Sequence, residues 1–205
     1  MSRANEYLHD LLSRYPQLSC CEAALSDAFS VLRDAYRSDR KLLVCGNGGS
    51  AADSEHIVGE LMKGFRSLRP LPEEEAAQYG DYAAKLQRAL PALALSQHTA
   101  LNTAFSNDVS ADLIFAQQVY GYGRPGDVLL GLSTSGNSAN VVHAANVANR
   151  KGLKVISLVG RNGGKLRDIS DVCIMVPATS TPEVQELHLP IYHALCSMLE
   201  AEFFG

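Results

Sequence analysis

The sequence predicts an α/β fold, a three-layer αβα sandwich whose five-stranded parallel sheet lies between helices. Three observations predict it. Short runs of uninterrupted apolar residues recur along the chain, as strands buried on both faces require. Segments with helical spacing separate them, so neighbouring strands are joined by crossovers. Two of the apolar runs feed directly into loops rich in glycine and serine, the junctions at which such sheets bind ligands.

Taken in order, the chain opens with helix. Tyr7, Leu11 and Leu12 recur at helical spacing, and Tyr15-Pro16 breaks the run. Ala23, Leu25, Ala28, Phe29, Val31, Leu32 and Tyr36 then line one side of a second helix. Ser38-Asp39-Arg40 ends it, and residues 41–45 form the first strand. A helix to about Phe65 follows Gly46-Asn47-Gly48-Gly49-Ser50. Residues 91–95 are the second strand and 127–132 the third, which runs into Ser133-Thr134-Ser135-Gly136-Asn137-Ser138. A helix of small residues spans Val141 to Asn149. Residues 153–159 and 172–176 are the fourth and fifth strands, and a last helix runs from Thr181 or Pro182 to about Phe203.

Between Leu71 and Leu90 this rhythm is interrupted. Pro72 with Glu73, Glu74 and Glu75 reads as a helix start, with proline in the first turn and carboxylates near the positive end of the dipole. Tyr79, Tyr82, Ala83 and Leu86 share a face, with Gly80 as a weak point. The segment reads as an inserted amphipathic helix covering the site or meeting another subunit, or equally as a surface elaboration. With no internal repeat and no Pro-, Gly- or Ser-rich linker, residues 1–205 read as one domain.

Composition narrows the function. The chain has 205 residues, 46% of them apolar, enough for a core of ordinary size. Its 18 Lys and Arg against 22 Asp and Glu leave a net charge of −4, so no global field draws it to nucleic acid or an anionic membrane. An anionic ligand has to be held by local geometry. Five cysteines, an odd number with no C-x-x-C pair, argue against a disulfide framework or a cysteine zinc cage. The polar start from Met1 to Glu6 lacks an apolar signal core, and no run approaches the roughly 18 apolar residues of a membrane span. A cytoplasmic protein with no nucleic-acid or membrane partner is expected.

Both glycine–serine loops suit an anion. In the first, glycines let the backbone approach a ligand and turn its N–H groups outward, and Ser50 reads as the N-cap of the following helix. In the second, hydroxyls surround Gly136 at a helix start. Neither matches G-x-x-x-x-G-K-[ST] or G-x-G-x-x-G, so a nucleoside triphosphatase and a dinucleotide site lose support. Each loop alone also reads as a turn with a helix cap.

His56 and Glu60, four residues apart on one helix face, suit a shared metal or a proton transfer. On spacing alone they read more readily as a surface hydrogen-bonded pair. The last helix carries Gln185, His188 and His193, and its angular spacing does not choose between the two histidines as partner of Gln185. Pro190 lies between them and removes a backbone donor. His9, His98 and His143 read as structural or exposed.

Together, Gly46–Ser50, the His56/Glu60 pair, Asn107-Asp108, the stretch 126–140 and Gln185-Glu186-Leu187-His188 resemble the phosphoheptose isomerases, which are sugar isomerase (SIS) domain proteins. The resemblance runs over most of the chain. It implies a SIS domain, flavodoxin-like in fold, that interconverts sedoheptulose 7-phosphate and D-glycero-D-manno-heptose 7-phosphate through an enediol. It implies one zinc ion held by His56, Glu60, Gln185 and His193, with Glu60 and His193 as the proton-transfer pair. Asn47, Gly48, Gly49, Asn107, Asp108, Ser133, Thr134, Ser135 and Ser138, with Ser50, Glu60 and Gln185, would line the site for the phosphorylated sugar. It also implies a homotetramer with active sites at subunit contacts, the long terminal helices packing between subunits. Three features depart from the family pattern: the 71–90 insertion, Pro182-Glu183 where Asp-Arg is common, and Pro190. The competing reading is a non-catalytic SIS protein that binds a phosphosugar or a protein, like the DnaA initiator-associating proteins; the retained His/Glu/Gln/His set argues for the enzyme.

Overall fold

The computed structural model describes residues 3–205; Met1 and Ser2, at the head of the polar N-terminal segment, lie outside the described residues. Strands β1 (Leu42–Cys45), β2 (Ala92–Ala94), β3 (Val128–Ser133), β4 (Lys154–Val159) and β5 (Val172–Met175) form one parallel sheet in the order β2-β1-β3-β4-β5. Successive strand residues point to opposite faces, which divides the core in two. Leu42, Val44, Leu130, Leu132, Ile156, Leu158 and Ile174 pack with helices α1 (Arg3–Arg14), α2 (Glu22–Arg37), α3 (Gly49–Met62) and α9 (Thr181–Phe204). Leu43, Cys45, Leu129, Val155 and Val159 pack on the other face with α6 (Ile114–Tyr122), α7 (Ala139–Arg150) and α8 (Gly164–Ile169).

Local chemistry sets the boundaries. The residue before a proline is driven from the helical region, and Tyr15 is accordingly non-helical (φ −129°, ψ 71°) before a 3₁₀ turn that starts at Pro16. Asp39, one of the few residue types that accept a left-handed conformation, turns the chain from α2 into β1 with φ 55°. The terminal helices α1 and α9 pack on each other within the chain, with Leu8 and Leu11 in the same core cluster as Leu195 and Leu199. Helix α9 runs unbroken through a buried Pro190.

Three segments differ from the sequence expectation. Over 71–90 the inserted helix forms only as α4 (Glu73–Ala76) and a 3₁₀ turn at Gly80–Tyr82, closed by a bridge between Pro70 and Gln87. Gly80 adopts φ 54°, which breaks the helical hydrogen-bond ladder, and Tyr79, Tyr82 and Leu86 stay exposed. Residues 99–122, with no assigned structure in the sequence reading, form α5 (Thr99–Phe105), a π-helical turn (Ser106–Ser110), a 3₁₀ turn (Ala111–Leu113) and α6. Helix α8 was likewise unmarked. No helix among the described residues is long and apolar enough to cross a membrane.

Candidate active site

With β1 flanked by β2 on one side and β3 on the other, the direction of strand order reverses between β1 and β3. Such a switch point opens a crevice at the carboxyl ends of the strands. Both glycine–serine loops leave the sheet there, one from Cys45 and the other from Ser133.

In the first loop Gly48, not Ser50, is the N-cap of α3. Gly48 adopts φ 56°, which favours glycine, and Ser50 lies inside the helix, buried, with its carbonyl accepting the Ser54 hydroxyl. The turn is too tight for a side chain at 46, where a Cβ would lie 2.6 Å from the Ser50 carbonyl oxygen. At Gly49 a Cβ would lie 2.7 Å from Gln185 Nε2, so the missing side chain is what admits that amide to the loop.

The second loop is cross-braced from beneath. Gly136 adopts φ 66°, and a Cβ there would lie 1.9 Å from the Gly163 carbonyl oxygen. Ser133 Oγ bonds Ser138 Oγ at 3.0 Å, the Ser135 hydroxyl accepts the Asn137 N–H at 3.1 Å, and Thr134 Oγ1 lies 3.5 Å from Thr181 Oγ1. Ser138 is the N-cap of α7 but makes no side-chain cap bond, which leaves first-turn N–H groups for a ligand. Asn47 and Asn140 join the two loops through a reciprocal carboxamide pair.

The ionisable groups converge from α3 and α9. His56 Nε2 lies 3.1 Å from Glu60 Oε1 and 3.4 Å from His193 Nε2. Lys63 Nζ holds the other Glu60 oxygen at 3.1 Å, and the Phe65 ring stands 5.5 Å from that of His193. His193 titrates below the ordinary imidazole value, first because burial disfavours its charged form and next because His56 faces it; Glu60 opposes the shift. On the far side of His56, the Tyr192 hydroxyl donates to Asp53 Oδ1 at 3.1 Å and lies 3.1 Å from His56 Nδ1. Burial raises the Asp53 carboxyl above its usual value, while the Tyr192 bond and His56 pull it back. Burial, then Asp53, raises the Tyr192 phenol.

His193, not His188, therefore meets His56. His188 is fully buried, and neither ring nitrogen closes a hydrogen bond of ordinary geometry. Burial pushes its pKa down to about 4, tempered by the Val159 backbone. Asn107 and Asp108 sit exposed on the π-helical turn and hydrogen-bond each other at 2.9 Å, without a hydrogen bond to either loop. His9 and His143 are exposed, and His98 is tied to Gln118. Tyr192 and Asp53 escaped the sequence reading; Asp53, three residues before His56 on the same helix, was the available signal.

Among the described residues no group of three or more His, Cys, Asp or Glu side chains forms a ready metal cage. The two edges that are formed nevertheless match zinc, since ligand atoms on a tetrahedral ion with bonds of about 2.0–2.1 Å stand about 3.3 Å apart. The His56–Glu60 and His56–His193 separations of 3.1 and 3.4 Å bracket that length. The residues fit zinc in donor type and in those two edges.

The SIS domain family matches residues 6–88 and 71–160. The phosphoheptose isomerase of Rhodospirillum rubrum is 42% identical over 184 residues, 90% of this chain and 88% of that protein. Among solved structures, a phosphoheptose isomerase from Francisella tularensis superposes with a TM-score of 0.78 at 30% identity, covering 95% of each chain. Phosphoheptose isomerase GmhA from Neisseria gonorrhoeae superposes with a TM-score of 0.73 at 34% identity, covering 97% of this chain and 91% of that one. The five-stranded sheet, the switch-point loops and these likenesses agree: the chain belongs to the phosphoheptose isomerase family of SIS-domain proteins.

Proposed function

We propose that this chain, a single SIS domain, is a zinc-dependent aldose–ketose isomerase that interconverts sedoheptulose 7-phosphate and D-glycero-D-manno-heptose 7-phosphate through an enediol. The observation that carries the reading is the meeting of Glu60 and His56 from α3 with His193 from α9, in a chain whose Gln185 amide rests on the glycine loop. The phosphate takes the N–H groups of Gly48 and Gly49 and the hydroxyls of Ser133, Thr134, Ser135 and Ser138. Asn47, Ser50, Asn107, Asp108 and Gln185 complete the sugar site; the buried side chain of Ser50 acts by shaping the turn.

Isomerisation moves one proton between carbons and one between oxygens. Glu60 takes the carbon-bound proton next to the carbonyl, electrons flow to the carbonyl oxygen, and that oxygen gains a proton to give the enediol. Returning a proton to the other carbon completes the exchange. His193, kept largely neutral near pH 7 by burial and by His56, moves the proton between the two adjacent oxygens. His56, Glu60, Gln185 and His193 would hold zinc, which when bound supplies a Lewis acid for charge developing on oxygen.

The working form is a homotetramer with active sites at subunit contacts. Supporting this are Leu101, Val109, Leu113 and Tyr120, large apolar side chains left exposed on the segment that carries Asn107 and Asp108. A cytoplasmic location is supported by five free cysteines, which persist in reducing compartments.

Incubation of zinc-loaded protein with sedoheptulose 7-phosphate, followed by NMR, should show the aldose product. Glu60→Gln and His193→Ala should abolish turnover with circular dichroism unchanged, and full activity in either variant rejects the assigned roles. No turnover by the loaded wild type would favour a phosphosugar-binding protein.

A further inference from the structure

We infer that Gln87 is a positioning residue: reaching out of the 71–90 segment, its side chain holds the turn after α3 so that Lys63 stays on the carboxylate of Glu60.

Four successive backbone N–H groups line that turn, and two acceptors divide them. Those of Phe65, Arg66 and Ser67 go to Glu200 on α9. The first, that of Gly64, donates to Gln87 Oε1 at 2.7 Å. A backbone N–H only donates, so the Gln87 amide has to present its oxygen there. The turn has no room to spare, since a Cβ on Gly64 would lie 2.4 Å from the Ser67 carbonyl oxygen and 3.2 Å from Gln87 Oε1. Gln87 is itself anchored. Its backbone bridges Pro70, and the next N–H, that of Arg88, donates to the Arg69 carbonyl at 2.8 Å. The 71–90 segment therefore reaches the site through its last residues, while Tyr79, Tyr82 and Leu86 stay exposed.

Gly64 is the link to the proposed base. Helix α3 ends at Lys63, whose backbone is extended (φ −145°), so helical hydrogen bonding no longer holds the chain there. Lys63 Nζ donates to the Gly64 carbonyl at 3.2 Å and to Glu60 Oε2 at 3.1 Å. The lysine side chain is 60% exposed and the glutamate only 13%. On a flexible four-carbon stem an ammonium at that exposure samples many positions, and the carbonyl contact selects one. With Oε2 so occupied, Oε1 is the oxygen that faces His56, at 3.1 Å. The catalytic consequence rests on Glu60 acting as the base proposed above; the brace from Gln87 to Gly64 does not.

The test pairs kinetics with amide exchange. Gln87→Met keeps the length of the side chain and removes the acceptor. It should lower kcat for sedoheptulose 7-phosphate about 2- to 10-fold, the worth of one hydrogen bond, and leave KM unchanged because the phosphate cradle is untouched. Labelling with carbonyl-¹³C lysine and ¹⁵N glycine singles out two Lys–Gly pairs, Lys63-Gly64 and Lys151-Gly152, and Lys63→Met deletes the first signal and so assigns it. Exchange of the Gly64 amide should quicken about 2- to 10-fold in Gln87→Met. On a Lys63→Met background the same change should leave kcat where it stands, because both act through one contact. Gln87→Asn, one methylene too short, serves if the methionine variant folds poorly. An unchanged kcat, an equal fall on the Lys63→Met background, or unchanged Gly64 exchange would overturn the inference. A wild type that does not isomerise the sugar defeats the proposed function alone, and Gly64 exchange, which needs no substrate, still decides the brace.

Discussion

Asn47 and Asn140 clasp across the crevice, each carboxamide donating to the other at 2.8 and 2.9 Å. Ninety-three residues apart in sequence, they lock the glycine turn after β1 to the first turn of the helix after β3. Both are largely at the surface, so the clasp contributes more to loop geometry than to overall stability. Asn140→Ala removes two hydrogen bonds, each worth about 1 kcal/mol. The KM for the proposed substrate, sedoheptulose 7-phosphate, should rise about 5- to 30-fold, while the urea midpoint barely moves. An unchanged KM would detach the clasp from substrate binding.

Gly136 allows no side chain. Its positive φ and the Gly163 carbonyl 1.9 Å from a would-be Cβ add backbone strain to a direct clash. Gly136→Ala should cost about 3 kcal/mol or more and displace the serine turn. Thermal unfolding would report the first effect and loss of phosphosugar binding the second.

The strands were legible because parallel-sheet cores demand unbroken apolar runs, and Leu42 to Cys45 or Val128 to Leu132 have no other economical use. The loops were legible because glycine and hydroxyl residues cluster where backbone must meet a ligand. Ser50 misled because serine is a common cap, whereas the approach of Ser50 to Gly46 left that position to Gly48. The 71–90 segment misled because its tyrosine and leucine stripe has helical spacing, yet Tyr79, Tyr82 and Leu86 stay exposed. Spacing left His188 and His193 unresolved, and only the family resemblance chose His193, because α9 is apolar nearly all round and its pattern marks no site-facing side. Contacts such as that of Tyr192 with Asp53, 139 residues apart, leave no periodic trace at all.

The loop after α3 hangs from one carboxylate. Glu200 accepts the N–H groups of Phe65, Arg66 and Ser67 and pairs with Arg69 Nε at 2.8 Å, all but buried. Arg69 in turn donates to the carbonyls of Leu61 and Glu60, so the pair ties α9 to the backbone of the proposed base. Arg69→Met leaves a buried charge without its cation and should destabilise by about 3–5 kcal/mol in urea unfolding. A loss under 1 kcal/mol would mean that the three backbone donors satisfy Glu200 alone.

His188 makes stability depend on acid. Unfolded, the ring protonates near 6.5; folded, it stays neutral down to about 4. Between these values the unfolded chain binds more protons, so stability falls as pH falls, by about 2 kcal/mol between pH 7 and pH 5. Above 6.5 both states are neutral and the effect vanishes. His188→Leu should flatten this limb of a urea-midpoint profile, and an equally steep limb in the variant would assign the effect to other groups.

Helix α9 holds more of the buried side chains than any other element, and it also brings Gln185, Tyr192 and His193 to residues laid down early in α3. In chain order both turns and all five strands precede α9, so a ribosome emits them first. Both glycine–serine turns are thus synthesised before the helix that carries His193. Docking of α9 therefore fills the core and brings the proposed proton-transfer pair together in one step.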